Sequence, residues 1–102
     1  MVIVEFSLNP LDFGGSIAKP VSRAVDIISR SGLSYQVGAV ATTIEGELDE
    51  VMDLLTECIE DLAQHSDRVS FSVQGDFRKD NFPRLKKNVN RVEQTLGRDI
   101  KN

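Results

Sequence analysis

The 102-residue chain has few of the side chains that small proteins use for covalent or metal-based chemistry. It contains one Cys, one His, one Tyr and no Trp. A single Cys cannot close an intramolecular disulfide, and one Cys with one His cannot complete a four-ligand structural zinc site. Phosphate-binding loops, zinc-protease motifs and nucleophile elbows are also absent from the sequence. We therefore predict no catalytic residues, no metal and no cofactor, and expect that the protein is not an enzyme.

The sequence also lacks long apolar runs and an excess of positive charge. No stretch approaches the roughly 18–20 apolar residues that cross a bilayer, and no basic segment of the kind that begins a signal peptide opens the chain. The 12 Lys and Arg residues are outnumbered by 16 Asp and Glu, which gives a net charge of −4. This balance disfavours binding to nucleic acids or anionic membranes. We expect a single domain over residues 1–102 and a cytoplasmic location.

The hydrophobic pattern predicts alternating strands and helices. Val2, Val4, Phe6 and Leu8 recur with the period of two that is typical of a half-buried strand. The predicted strands cover residues 2–8, 35–41, 42–45 and 68–74, and the predicted helices cover 17–31, 48–65 and 82–96. The order βαββαβ predicts an α+β ferredoxin-like sandwich, with a four-stranded antiparallel sheet and an additional C-terminal helix.

Three features that sometimes carry chemistry have ordinary structural explanations here. Cys58 shares a helical apolar stripe with Leu55 and Leu62, which indicates a small core residue and not a nucleophile. His65 lies at the C-terminus of the same helix, where a positive charge interacts favourably with the helix dipole. Gly14 and Gly15 precede the first helix, and either an anion-binding loop or an ordinary loop is consistent with them.

The charges are unevenly distributed along the chain. Residues 42–67 contain nine acidic side chains and neither Lys nor Arg, whereas residues 78–102 contain eight basic and three acidic side chains. Two solvated helix faces of opposite sign explain this distribution. Alternatively, the basic last helix contacts the acidic second helix, within one subunit or between subunits.

The sheet face that the helices leave uncovered is predicted to be unusually poor in charge. Its one charged residue is Glu5, and its other members are Ser7, Gln36, Gly38, Ser70, Ser72 and Gln74. Sheet faces that remain in water usually carry more charges, so this face suits contact with another subunit or with the last helix. We predict a homo-oligomer.

The segment from Thr42 to Gly46 joins two hydroxyls and a carboxylate on a short strand. A polar strand edge followed by a helix cap explains this composition. A small-molecule pocket also explains it, with Glu45 accepting hydrogen bonds from an amino-substituted heterocycle.

This segment closely resembles the signature of the YkoF-like thiamine-binding family, and the likeness covers nearly the whole chain. The similar stretches are Pro10, Ser16, Ser31-Gly32-Leu33-Ser34-Tyr35, Thr42-Thr43-Ile44-Glu45-Gly46, Asp49-Glu50-Val51-Met52, Arg68-Val69 and Asp76-Phe77-Arg78. The Thr-Thr-Ile-Glu-Gly block is the most specific of them.

The resemblance implies non-catalytic binding of thiamine or its hydroxymethylpyrimidine moiety in a homodimer or homotetramer built through the sheets. By position, the resemblance implies that the ligand pocket is formed by Ser16, Thr42, Thr43 and Glu45. It also implies that Asp76 and Arg78 lie at the rim of this pocket or at the subunit interface. The aromatic surface that stacks on the ligand would come from Phe13, Tyr35 or Phe77. The alternative is a structural or protein-interaction homo-oligomer whose pocket is vestigial.

Overall fold

The computed structural model describes residues 1–11, 18–80 and 82–85. The elements in these residues are β1 (Val2–Pro10), α1 (Ala18–Arg30), β2 (Ser34–Val37), β3 (Thr42–Gly46), α2 (Leu48–Ala63) and β4 (Val69–Phe77). The four strands form one sheet in the order β2-β3-β1-β4. Each neighbouring pair is antiparallel. This arrangement confirms the predicted α+β ferredoxin-like fold.

The core lies between the sheet and the two helices. Alternate residues of β1 point toward the helices, and Val2, Val4 and Phe6 are each buried there. Ile44 of β3 is completely inaccessible and joins the same cluster. The helices complete it with Ile28, Val51, Leu54, Leu55 and Cys58. Burial of Cys58 confirms its predicted place in the core.

The two helices are joined by a charged contact that the sequence does not indicate. Arg23 of α1 donates hydrogen bonds to both carboxylate oxygens of Asp61 on α2, at 2.7 and 3.2 Å. The Arg23 Nη1 atom also lies 3.0 Å from His65 Nε2. The neighbouring Asp61 carboxylate raises the pKa of the Arg23 guanidinium above its usual value. Two parallel bonds set the orientation of a guanidinium more firmly than a single contact does.

The end of α1 and the start of α2 follow from the sequence. Gly32, which follows α1, has a φ of 80°, a conformation that residues with a Cβ atom rarely adopt. Asp49 and Glu50 lie in the first turn of α2, where the helix dipole favours negative charge. Neither of the two helices described above is long and apolar enough to cross a membrane.

Three predicted boundaries differ from the structure by three or more residues. The strand predicted at 35–41 ends at Val37, because the Gly38 amide bonds to the Ala41 carbonyl at 3.0 Å and closes the hairpin turn. The strand predicted at 68–74 extends to Phe77, because its last residues pair with the beginning of β1. Residues 82–84 are not helical, and Leu85 is the first helical residue of this segment. The remainder of the helix predicted at 82–96 and its predicted cap at 81 lie outside the described residues.

Candidate functional site

The face of the sheet opposite the helices, called the open face below, carries polar side chains in two aligned rows. Strand pairing places Glu45, Ile3 and Asp76 side by side across β3, β1 and β4, with Ser34 of β2 next to Glu45. We call these four residues the Glu45 row. One step along the strands, the pairing aligns Gln36, Thr43, Glu5 and Gln74, which we call the Glu5 row. The side chains within each row are neighbours, since paired residues have Cβ atoms about 5 Å apart.

Glu45 is buried and already has partners within the chain. Its side chain is 3% exposed. Its Oε2 atom accepts a hydrogen bond from the Arg84 backbone amide at 2.7 Å, and its Oε1 atom accepts one from the Leu85 amide at 3.3 Å. A buried carboxylate is stable when such bonds compensate for its lost hydration. Glu45 therefore holds the segment 82–85 against the open face.

Arg84 lies along the Glu45 row and contacts both of its acidic residues. Its Nη1 atom bonds to the Asp76 carboxylate, and its Nη2 atom bonds to the Asp76 carbonyl at 3.1 Å. Its Nε atom lies 4.0 Å from Glu45 Oε2, and this nitrogen has no hydrogen-bond partner among the described residues. The guanidinium thus extends between β3 and β4, across the position of Ile3. Sequence reasoning placed Arg84 in a helix and missed this contact, because the two partners are 39 residues apart.

This contact bears on the uneven distribution of charge along the chain. Glu45 belongs to the acidic segment 42–67, and Arg84 belongs to the basic segment 78–102. Their ion pair joins the two segments within one chain, but it involves the end of β3 and a residue that is not helical. The predicted contact between the last helix and α2 stays a prediction.

The two threonines of the predicted pocket lie on opposite faces of the sheet. Thr43 belongs to the Glu5 row, whereas Thr42 points toward the helices, as its neighbour Ile44 does. Thr42 lines a cavity of about 560 Å³ between α1, β1 and the turn that joins β2 to β3. The other walls of this cavity are mainly apolar and include Phe6, Val25, Val37 and Val40. A single pocket within one chain therefore does not hold both hydroxyls.

Of the remaining predicted site residues, the structure places Asp76 close to Glu45 and Arg78 away from both. Asp76 meets Glu45 through Arg84. Arg78 lies beyond the end of β4, where its backbone exchanges two hydrogen bonds with that of Met1, at 2.9 and 3.0 Å. Ser16 lies outside the described residues.

Glu5 is a residue of this face that the predicted pocket did not include. Its side chain is exposed, and it has no hydrogen-bond or ion-pair partner among the residues described here. The signal in the sequence is the alternation of β1, which places Glu5 on this face. The prediction that Glu5 is the one charge there is wrong, because Glu45 and Asp76 lie on the same face. The part of the chain that the structure describes contains no group of three His, Cys, Asp or Glu residues placed to bind a metal ion.

Comparison with known proteins decides the family. Residues 4–93 match the family model described as "Thiamine-binding protein". The chain belongs to this family. The match confirms the resemblance that the Thr42–Gly46 block indicates, and it extends over the sheet, both helices and the contact between Glu45 and Arg84.

Relatives of this family have similar lengths and folds. The UPF0045 protein Mb1933 of Mycobacterium bovis is 34% identical over 96 residues, which are 93% of this chain and 94% of the relative. The crystal structure of MJ1052 from Methanocaldococcus jannaschii superposes with a TM-score of 0.80 at 29% identity, over 91% of this chain and 96% of that one. TM0486 of Thermotoga maritima, whose name associates it with thiamine biosynthesis or salvage, superposes with a TM-score of 0.78 at 28% identity. That superposition covers 89% of this chain and 97% of TM0486.

Proposed function

We propose that this protein binds thiamine or its hydroxymethylpyrimidine moiety without converting it chemically. The observation that carries the proposal is the match of residues 4–93 to a family described as thiamine-binding. The similarity to TM0486 links the same fold to thiamine metabolism. The proposed ligands are thiamine and its pyrimidine moiety, and the titrations below distinguish them.

The polar open face is chemically suited to such a ligand. An aminopyrimidine presents an amino donor and ring-nitrogen acceptors, and the thiazolium of thiamine carries a positive charge. A carboxylate accepts from the amino group, while hydroxyl and amide groups can donate to ring nitrogens. The Glu5 row offers these groups on adjacent strands. The net charge of −4 also favours a cationic ligand.

Binding without catalysis is consistent with the state of the two side chains that most often act as nucleophile or base. Cys58 is 1% exposed, and burial raises the pKa of its thiol to about 11, so the thiolate is scarce at neutral pH. The His65 ring contacts the Arg23 guanidinium at 3.0 Å and lies beyond α2, away from the open face. Neither residue is placed to act on a ligand bound at the Glu5 row.

The proposal is tested by titrating the purified protein with thiamine and with hydroxymethylpyrimidine. At about 100 times the dissociation constant, a ligand stabilises the folded state by about 2.7 kcal/mol. For a domain of this size that corresponds to a rise in Tm of about 10 °C or more. Calorimetry should give a stoichiometric binding heat for at least one of the two compounds. If millimolar concentrations of either compound produce no rise in Tm and no binding heat, the proposed function is refuted.

We also propose that the protein self-associates along β4. This strand is at one end of the sheet, so in the described structure its outer edge has no partner strand. It presents three large apolar side chains that are about half exposed, Phe71, Val73 and Phe77. A long apolar edge strand is suited to pairing with another chain. A second copy of the chain could pair with the free edge of β4 and cover its apolar side chains. Self-association without ligand binding would favour the alternative function, a structural oligomer.

A further inference from the structure

We infer that Glu5, and not Glu45, is the carboxylate that receives the amino group of the heterocyclic ligand, at a site formed by the Glu5 row. This inference rests on the proposed function and specifies its binding site. Glu45 already has hydrogen-bond partners within the chain. Both carboxylate oxygens accept backbone N–H bonds from segment 82–85, and only 3% of the side chain is exposed. A ligand could reach this carboxylate only after displacing the segment.

The Arg84 guanidinium reinforces this arrangement. It lies between the carboxylates of Glu45 and Asp76 and is about 90% buried. Two negative charges and one positive charge therefore occupy the Glu45 row, and the guanidinium takes the place that a cationic ligand would need. Removing Arg84 from this position would leave a buried carboxylate without its counter-charge, which is unfavourable.

Glu5 has the opposite environment. It lies two residues along β1 from Ile3, a separation of about 7 Å, and thus directly beside the row that Arg84 covers. Its carboxylate has no described partner, and its cross-strand neighbours are the Thr43 hydroxyl and the Gln74 amide. Gln36 extends the row onto β2. The Glu45 row, covered by Arg84, therefore borders one side of the accessible Glu5 carboxylate. Uncharged hydrogen-bond donors and acceptors flank this carboxylate within the Glu5 row.

The chemistry of this row selects the class of ligand. An accessible carboxylate between hydroxyl and amide groups favours an amino-substituted, neutral or cationic heterocycle and disfavours an anion. In this site the ligand's amino group would donate to Glu5. The Thr43 hydroxyl or an amide N–H of Gln36 or Gln74 would donate to a ring nitrogen.

The test compares thiamine with oxythiamine, in which a carbonyl replaces the amino group, by calorimetry on four proteins. The parent protein should bind thiamine at least tenfold more tightly than oxythiamine, because the carbonyl cannot donate to a carboxylate. Glu5→Gln should weaken thiamine binding about tenfold or more and remove most of the preference. Glu47→Gln is the matched control, since Glu47 is exposed at the start of α2, and it should bind within twofold of the parent.

Glu45→Gln, the fourth protein, separates the two carboxylates. It should lower the melting temperature, but below that temperature it should bind thiamine within about threefold of the parent. The inference is wrong if Glu5→Gln, folded by circular dichroism, binds thiamine as the parent does. It is also wrong if folded Glu45→Gln loses binding while Glu5→Gln retains it. If Glu45→Gln does not fold, the comparison of Glu5→Gln with Glu47→Gln still tests the inference.

The same measurements distinguish failure of the inference from failure of the proposed function. A parent protein that binds thiamine together with an unaffected Glu5→Gln variant overturns only the assignment of Glu5. A parent protein that binds neither thiamine nor hydroxymethylpyrimidine overturns the function and, with it, this site.

Discussion

Glu45 shows how a residue can be recognised in the sequence while its partner is not. The sequence predicts that Glu45 accepts hydrogen bonds from a heterocyclic ligand, whereas in the structure the backbone amides of Arg84 and Leu85 donate to its carboxylate. Bonds to a charged acceptor contribute about 1.5–3 kcal/mol each to stability. The Glu45 carboxylate therefore has a sufficient structural reason for its position, independent of any ligand.

Cys58 provides a prediction at the same scale. Burial, together with the nearby Glu57 and Asp61 carboxylates, raises the pKa of its thiol from 9.0 to about 11. Since only the thiolate reacts with iodoacetamide, native protein at pH 8 should be alkylated at less than about one tenth of the rate seen in guanidinium chloride. Mass spectrometry of timed samples measures both rates. Equal rates in the folded and unfolded protein would show that the thiol is accessible.

The sign of the pH dependence follows from the raised pKa. The folded state binds the thiol proton more tightly than the unfolded state does, so this group stabilises the fold most fully below pH 9. Its contribution is lost as the pH rises from 9.0 toward 11. Native alkylation should accordingly accelerate over this interval, because ionisation and opening of the fold then act together.

At the scale of the elements, the close pairing of β4 with β1 depends on Gly75, although glycine has a low strand propensity. Gly75 of this edge strand pairs with Val4 of β1, on the side of the sheet that faces the helices. A Cβ atom at this position would lie 2.9 Å from Val4 Cγ1 and 3.4 Å from the Ile3 carbonyl oxygen. The absence of a side chain lets β4 continue beside the buried part of β1 up to Phe77.

We expect Gly75→Ala to lower the free energy of unfolding by about 1–3 kcal/mol, although alanine is usually preferred over glycine inside a strand. The reason is overpacking, since Val4 is 2% exposed and its β-branched side chain is restricted at χ1. Urea denaturation measures the change. Ser72→Ala, on the open face of the same strand, is the control and should change the stability by less than about 0.5 kcal/mol. A Gly75→Ala variant as stable as the parent would contradict the close contact.

For the whole molecule, the prediction concerns assembly. The 11.3 kDa chain should sediment as a dimer or larger species at micromolar concentration. Among the described residues, the outer edge of β4 has no partner strand, and the same strand exposes the apolar strip of Phe71, Val73 and Phe77. Phe71→Glu should shift the equilibrium at least tenfold toward the monomer by placing a charge in this strip. Leu48→Glu is the control, since Leu48 is 46% exposed at the start of α2, and it should leave the assembly unchanged. A monomer at all micromolar concentrations would refute self-association.

Much of the architecture was predictable because it depends on local periodicity. Alternation along β1 identified the buried side chains Val2, Val4 and Phe6, and the helical spacing of Leu55, Cys58 and Leu62 identified the inner face of α2. The boundary of β2 was not predictable, since residues 38–41 have no standard turn sequence and the apolar Val40 is 90% exposed. The extension of β4 depends on its long pairing with β1, which strand composition does not encode.

The candidate site was predictable in part. Strand alternation alone implies that Thr42 and Thr43 face opposite sides of the sheet, so grouping them in one pocket required an assumption that the pleat does not support. Alternation also placed Glu5 on the open face. It gave no indication that Arg84 would cover the neighbouring row, because the helical pattern predicted at 82–96 includes Arg84, whereas the path of this segment depends on where β4 ends.

The sequence by itself determined the order of the elements, the side chains that enter the core and the polar character of the open face. Each of these depends on spacings of two to four residues, which the geometry of strands and helices converts directly into faces. Only the tertiary structure decided which carboxylate of that face is covered. The contact between Glu45 and Arg84 spans 39 residues and has no local signal. Contacts of this kind depend on the path of the whole chain, and here that path covers Glu45 and leaves Glu5 exposed.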